Sequence, residues 1–428
     1  MADKTNTIPK GWKMTTLGEV AEKIFSGGTP STQRGDFYGG IIPWLRTQEV
    51  NFNYIYDTEI KITDEGLNSS SAKWVPANSV IIAMYGNSAG RVAFSKIPLT
   101  TNQACCNFVA DKQKSDPAFI YFNLRGRYSE IEGMANGGAQ QNLSGLILKE
   151  LPLLLPQLPE QRAIAAVLSS LDDKIELLRE QNKTLEATAQ AIFKEWFVNF
   201  NFPNTGRRMS DSELGKIPEG WRVGILNDYI GELESGKRPK GGVGQLKLGV
   251  PSVGAESING ISSFEFSKTK YVSEVFYQKM NLGKVKDYDI LIYKDGGTPG
   301  TFLPKFSMVG EGFPFSRFCI NEHVFRMQTK KVEQRFYLYL WLNSFYCKRE
   351  LQNIGGKAAI PGINSTDLRN ISLLIPDETI LELFHSTVSQ SFKKILINNS
   401  QIQTLSTLRD TLLPKLMKGE VRIAGFND

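Results

Sequence analysis

The pentapeptide Ile8-Pro9-Lys10-Gly11-Trp12 returns as Ile217-Pro218-Glu219-Gly220-Trp221, and each copy opens the same succession of signals. Roughly 140 residues after each copy comes a second matching point, Leu151-Pro152-Leu153-Leu154-Leu155-Pro156 in one half and Ile371-Ser372-Leu373-Leu374-Ile375-Pro376 in the other. A long helical pattern follows each at once. An internal repeat of this kind fixes the organisation before any single element is assigned. The 428 residues suit two domains of ordinary size with connectors.

The two helical patterns match at a constant offset of 220 positions, Leu405 against Leu185. In the first, Ile164, Leu168, Leu171, Ile175, Leu178, Asn182, Leu185, Ala189, Ile192 and Trp196 alternate spacings of four and three, the seam of a coiled coil. The second reads Phe384, Val388, Ser391, Ile395, Asn398, Ile402, Leu405, Arg409, Leu412 and Leu416, a weaker seam with three polar members. Two such helices in one chain most simply pack on each other. At about 1.5 Å per residue each is near 60 Å long. An antiparallel pairing with Leu185 opposite Ile395 also places Asn182 opposite Asn398. Two facing amides satisfy each other and penalise a slip, so this pair is expected to fix the register.

Between these marks each half mixes short strands, helices and turns. Val80–Tyr85 and Asp289–Lys294 read as buried strands that run into the glycine turns Gly86–Arg91 and Gly296–Gly300. Phe119–Leu124 and Phe336–Trp341 read as corresponding buried helices. The expected fold is therefore α+β: two globular domains separated by two long helices packed as an antiparallel coiled coil, with a pseudo-twofold internal repeat. The expected boundaries are 1–156 for the first domain, 157–200 for the central helix and 201–215 for a flexible linker. The second domain spans 216–376 and the C-terminal helical region 377–428.

Catalytic signals are sparse. Cys105, Cys106, Cys319 and Cys347 form no CxxC pair, so neither a disulfide framework nor a zinc knuckle is indicated. The two histidines, His323 and His385, lie in different elements. Gly231–Arg238 approaches the phosphate-loop pattern, but Arg238 replaces the magnesium-holding hydroxyl and Pro239 falls where a helix should begin. No metal site is indicated, and the chain is expected to have no chemistry of its own. No apolar run reaches the roughly 18 residues of a membrane span, which gives a cytoplasmic expectation. A net charge of +6 permits a phosphate-facing stripe without demanding one.

The duplicated Ile-Pro-Xaa-Gly-Trp, the stretch Leu151–Gln161 and the ending Leu412–Val421 together resemble the specificity subunit of type I restriction–modification systems. The resemblance covers essentially the whole chain. It implies that each domain is a target recognition domain reading one half of a split, asymmetric sequence in double-stranded DNA. The helices would set the spacing between half-sites and dock two methyltransferase subunits, and motor/nuclease subunits would join the larger complex. S-adenosylmethionine, ATP and Mg²⁺ would be used by those partners, with no cofactor on this chain.

Base reading needs bidentate donors on exposed loops. The candidates in the first domain are Arg46, Thr47, Gln48, Asn51, Asn87, Arg91, Asn102, Gln103, Gln140, Gln141 and Asn142. In the second they are Lys237, Arg238, Lys294, Arg317 and Lys357. Three other readings remain open at this level: a two-domain scaffold that touches only proteins, a DNA methyltransferase or nuclease with disguised motifs, and a specificity subunit serving a fused methyltransferase–nuclease.

Overall fold

The structure is a computed structural model that describes residues 8–136, 142–203, 206, 208–243, 246–296, 298, 300–356 and 361–426. The long helices form over Leu158–Phe197 and Glu378–Met417, 40 residues each. The chain divides into two compact units, one of Met1–Lys174 with Leu405–Asp428, the other of Ile175–Thr404. Each unit thus holds one globular domain together with a segment of both long helices.

In the first unit, a five-stranded sheet runs in the order Ala21–Ser26, Cys105–Ala110, Val80–Ala83, Val92–Ser95 and Asn53–Ile55. A three-stranded sheet places Tyr38–Leu45 between Ile60–Ile62 and Thr100–Thr101, the latter pairing parallel. Strand Lys13–Thr16, just past Trp12, pairs antiparallel with Pro152–Leu155 and so ties the domain's start to its exit. Helix Pro117–Gly126 packs its Phe119, Ile120 and Phe122 into the core; Asp116 caps it by accepting from the Phe119 amide at 3.0 Å.

The second unit repeats this plan with different residues. Its four-stranded sheet runs Ile230–Ser235, Val324–Thr329, Ile290–Tyr293, Phe306–Met308, and its three-stranded sheet sets Val250–Val253 between Lys270–Val272 and Cys319–Ile320. The last pair is again parallel. Arg222–Ile225 pairs with Ser372–Ile375 as the start-to-exit tie, and helix Gln334–Asn343 takes the place of Pro117–Gly126. The edge strand Asn53–Ile55 has no named counterpart in the second unit among the described residues.

The opening tryptophans explain why the pentapeptide recurs. In the first unit Trp12 Nε1 donates to Glu160 at 3.1 Å, and Arg422 grips the same buried carboxylate through Nε and Nη2 at 2.9 and 2.8 Å. The second long helix ends there in a Schellman turn, with Glu420 N bonded to Lys415 O and Gly419 N to Leu416 O. In the second unit Trp221 stacks on Phe202 with ring centroids 5.0 Å apart and meets Phe197 and Phe200 edgewise or tilted. Each opening motif therefore meets the outgoing end of a long helix: Arg422, just past one helix, also donates to the Lys10 carbonyl at 3.1 Å, and aromatic rings make the contact in the other unit.

That packing also changes the expected linker. Phe202 is buried against Trp221, and Met209–Ser212 pairs with Gly215–Pro218 as a hairpin. The aromatic contact and the hairpin give this stretch structure that its Asn, Pro, Gly and Arg content does not announce.

The long helices run antiparallel inside each unit. In the second, Phe193 and Phe197 meet Phe384, while Asn182 meets Asn398. Asn398 Nδ2 donates to Asn182 Oδ1 at 2.9 Å, and Asn182 Nδ2 donates to Asn399 Oδ1 at 2.7 Å. Asn399 then donates to the carbonyl of Ile261 in the globular domain at 2.7 Å. All three asparagines are buried. The expected pair is thus a chain of amides running from helix to helix to domain. Asn182→Ala should cost about 1–3 kcal/mol, because it leaves the amides of both partners short of a bond. Urea unfolding of the variant measures this; a loss below about 0.5 kcal/mol would mean the amides are exchanging with water.

In the first unit Arg409, another polar seam residue, donates to Asp172 at 2.6 Å, and Arg125 from helix Pro117–Gly126 holds the other oxygen at 3.0 Å. The 220-residue offset sets Phe392 and Ala189 at the places of Asp172 and Arg409, and both are buried apolar residues. One seam is keyed by charge where its counterpart is keyed by shape.

Candidate nucleic-acid interface

In each unit, five strand ends meet at one end of the two sheets, and their loops are tied by the same backbone bonds. In the first, Gly27 N bonds Cys105 O at 3.2 Å, Asn102 N bonds Leu45 O at 3.0 Å, Met84 N bonds Ala104 O at 2.9 Å and Leu143 N bonds Met84 O at 3.0 Å. In the second, Gly236 N faces Val324 O at 3.5 Å, Asn321 N bonds Val253 O at 3.0 Å, Lys294 N bonds His323 O at 3.0 Å and Ile363 N bonds Lys294 O at 2.8 Å. Ser26-Gly27-Gly28-Thr29-Pro30 therefore matches Ser235-Gly236-Lys237-Arg238-Pro239, and Asn102-Gln103-Ala104 matches Asn321-Glu322-His323. Gly27 and Gly236 are glycine because a Cβ would collide with the carbonyls of Thr101 and Ile320. The phosphate-loop look of Gly231–Arg238 is accounted for as well: Ile230–Ser235 is a strand, and no helix follows it.

Most of the candidate readers gather at these loops. Arg46, at the end of strand Tyr38–Leu45, pairs with Glu59 at 2.6 Å, with half-buried Thr47 and exposed Gln48 beside it. Asn87 is exposed on the Gly86–Ser88 turn, and Arg91 at its far side donates to Asn51 at 3.0 Å. Asn102 is half-buried, Gln103 accepts from the Thr29 hydroxyl, and Asn142 is exposed next to Leu143. In the second unit Lys237 is exposed, Arg238 pairs with Glu322 at 2.7 Å, and Lys294 donates to the Glu322 carbonyl at 3.2 Å. Arg317 is not brought to the group. It lies before strand Cys319–Ile320, at the end away from Asn321, and its guanidinium is held by Glu274 at 3.0 and 2.7 Å. Gln140, Gln141 and Lys357 lie outside the described residues.

The sequence reading sought donors and so passed over acids that the structure brings into the loops. Asp295 Oδ1 lies 2.5 Å from His323 Nδ1, and Glu322 Oε1 lies 3.5 Å from His323 Nε2. It also passed over Arg326, which is 1% exposed and ion-paired with Asp289, Glu232 and Glu234 in the four-stranded sheet. Burial holds the Asp289 carboxyl above the ordinary carboxylate range, with the Arg326 hydrogen bond pulling the other way. No local pattern announces such clusters, since their members come from separate strands.

All four cysteines are buried free thiols whose pKa values burial pushes up, and His385 stacks on Phe336 with centroids 4.9 Å apart. Among the described residues no group of His, Cys, Asp and Glu could hold a metal, and no helix is long and apolar enough to cross a membrane.

A frame used twice, with loops of different chemistry on one scaffold, defines a duplicated recognition protein. The chain belongs to the type I restriction modification DNA specificity family, whose domain model matches twice, over residues 9–187 and 218–406. It is a specificity subunit with two DNA target recognition domains. Its curated relatives include the type I restriction enzyme MjaIX specificity subunit of Methanocaldococcus jannaschii, 29% identical over 97% of this chain and 95% of the relative. The HindI specificity subunit of Haemophilus influenzae is 23% identical over 96% and 99%. Among solved structures, the type I restriction-modification S subunit from M. genitalium superposes with a TM-score of 0.58 at 17% identity, covering 97% of this chain and 98% of that one, a likeness of fold.

Proposed function

We propose that this chain is the non-catalytic, DNA-reading member of a type I restriction–modification complex. Each domain reads one half of a split, asymmetric target in double-stranded DNA. The long helices set the half-site spacing and dock two methyltransferase subunits, and motor/nuclease subunits complete the assembly. S-adenosylmethionine, ATP and Mg²⁺ serve those partners, and the complex works in the cytoplasm.

The observation that carries this reading is the matched loop frame. Two domains with the same backbone ties present Gln103 and Ala104 in one and Glu322 and His323 in the other, so they offer different hydrogen-bonding surfaces to two different half-sites. The cations around these loops, such as Lys237, suit phosphates, which position a protein on the duplex without specifying sequence.

Methylation mapping of genomic DNA from cells with and without this chain tests the reading. A split motif should vanish on deletion, and both half-sites and the spacing follow from the same data. Lengthening both helices by one heptad should widen the spacing by about three base pairs, since seven residues add about 10 Å. If no split motif depends on the chain, the reading fails.

A further inference from the structure

At the loops of the second unit one cation is held from behind. Arg238 Nε lies 2.7 Å from Glu322 Oε1; the arginine side chain is 58% exposed and the glutamate's 28%. Both Glu322 carboxylate oxygens are shielded from solvent, so they face the arginine and not an incoming ligand. Such a pair is screened by salt far less than one at the open surface. Its backing is itself fixed. The Ser235 hydroxyl and Lys294 Nζ both donate to the Glu322 carbonyl at 3.2 Å, and Gly236 lies so close to Ile320 that a Cβ would collide with its carbonyl. His323 stands 3.5 Å from the same Glu322 oxygen and is held in turn by Asp295. The arginine's torsional freedom is therefore restricted before any ligand arrives.

The ion pair runs through Nε, and Nη1 and Nη2 make no hydrogen bond to any described residue. What remains open is a planar fork of donors, which fits two acceptors lying side by side. In the major groove only guanine offers two acceptors on one base, N7 and O6. A phosphate would accept from the same fork, but Glu322 and Asp295 set negative charge behind it that disfavours an anion and leaves a neutral base edge unaffected. Exposed Lys237, with no carboxylate partner among the described residues, is better suited to phosphate. The matched contact in the first unit joins Thr29 to Gln103 and carries no charge, so this arginine fork belongs to one domain alone.

We propose that Arg238 reads a guanine in the half-site of the second domain, with Nη1 and Nη2 donating to O6 and N7, and that Glu322 is a positioning residue that orients the arginine without touching DNA. This rests on the reading of the domains as half-site readers.

The parental motif is first mapped by methylation, and the complete complex is then assayed for binding to duplexes in which each base pair of that motif is replaced in turn. In the parent, replacing one G·C pair of one half-site should weaken binding by about ten-fold or more. In Arg238→Ala, an exposed substitution, that difference should vanish while every other pair is discriminated as before. Glu322→Gln should reduce discrimination at the same pair, by a smaller factor, and at no other. Discrimination unchanged at every pair in Arg238→Ala would overturn the proposal, as would discrimination lost at an A·T pair. A loss shared equally by all duplexes, with the salt slope lowered by about one, would mark a phosphate contact and overturns it too. Unchanged discrimination in Glu322→Gln, whatever its melting temperature, removes the positioning role. A chain on which no split motif depends fails at the mapping step, before any variant is made, and that result removes the half-site reading itself.

Discussion

Asp172→Ala is expected to destabilise the first unit by about 3–5 kcal/mol, because it strands the buried Arg409 and the half-buried Arg125 guanidiniums at once. Arg125 and Arg409 reach the two oxygens of this carboxylate at 3.0 and 2.6 Å, and Asp172 is 6% exposed. Arg409 retains Asp410 at 2.8 Å, but that partner is largely exposed and screened. Arg125 retains only a 3.2 Å bond to the Tyr121 hydroxyl among its described hydrogen bonds. Urea unfolding followed by circular dichroism measures the loss. The triple variant Asp172→Leu, Arg125→Met, Arg409→Met should recover most of it, since apolar replacement of a whole buried ion cluster is often neutral or better. The second unit, with Phe392 and Ala189 at the matching positions, already works without charge there. A single-variant loss under about 1 kcal/mol would mean the site is open to water.

Arg326→Met should cost a similar amount, about 3–5 kcal/mol, with a distinctive pH dependence. The substitution removes the cation facing Asp289, which is fully buried, while Glu232 and Glu234 are partly exposed and can reach solvent. Burial already raises the Asp289 pKa, and Arg326 opposes the rise. Without Arg326 the folded-state pKa climbs further above the unfolded value of about 3.9. A carboxyl with its folded pKa above its unfolded one binds protons preferentially in the folded state. Stability then falls as pH rises through that window, and the deficit is full above the folded pKa. The variant should therefore approach the parent as the pH is lowered towards 4. Denaturant midpoints at pH 4.5 and 7.5 decide it: an equal deficit at both would show that Asp289 does not titrate.

These two sites also show where sequence reading stops. The repeat, the strands Val80–Ala83 and Ile290–Tyr293, the buried helices and the antiparallel seam follow from periodicity and matched motifs, which are local signals. Asn182 and Asn398 stood out because a heptad puts them on one seam. Asn399 did not, since its partner is the backbone carbonyl of Ile261, 138 positions away. Arg409 read as a blemish on the second helix because Asp172 lies 237 positions off. The donors at the loops were visible as residue types; the acids among them were not, because a carboxylate acquires meaning only from what faces it.

By itself the sequence determined that one frame is built twice, with long helices carrying the seams, because hydrophobic spacing and proline–glycine punctuation act over a few residues. Only the tertiary structure decided how each frame is keyed: charge at Asp172, amides at Asn182 and aromatic rings at Trp221, with Glu322 set against Arg238 at the loops. Those choices depend on which distant side chains share a shielded space. There the cost of an unpaired polar group is several times what it is in water, so the partner a residue meets, more than its own type, fixes what it does.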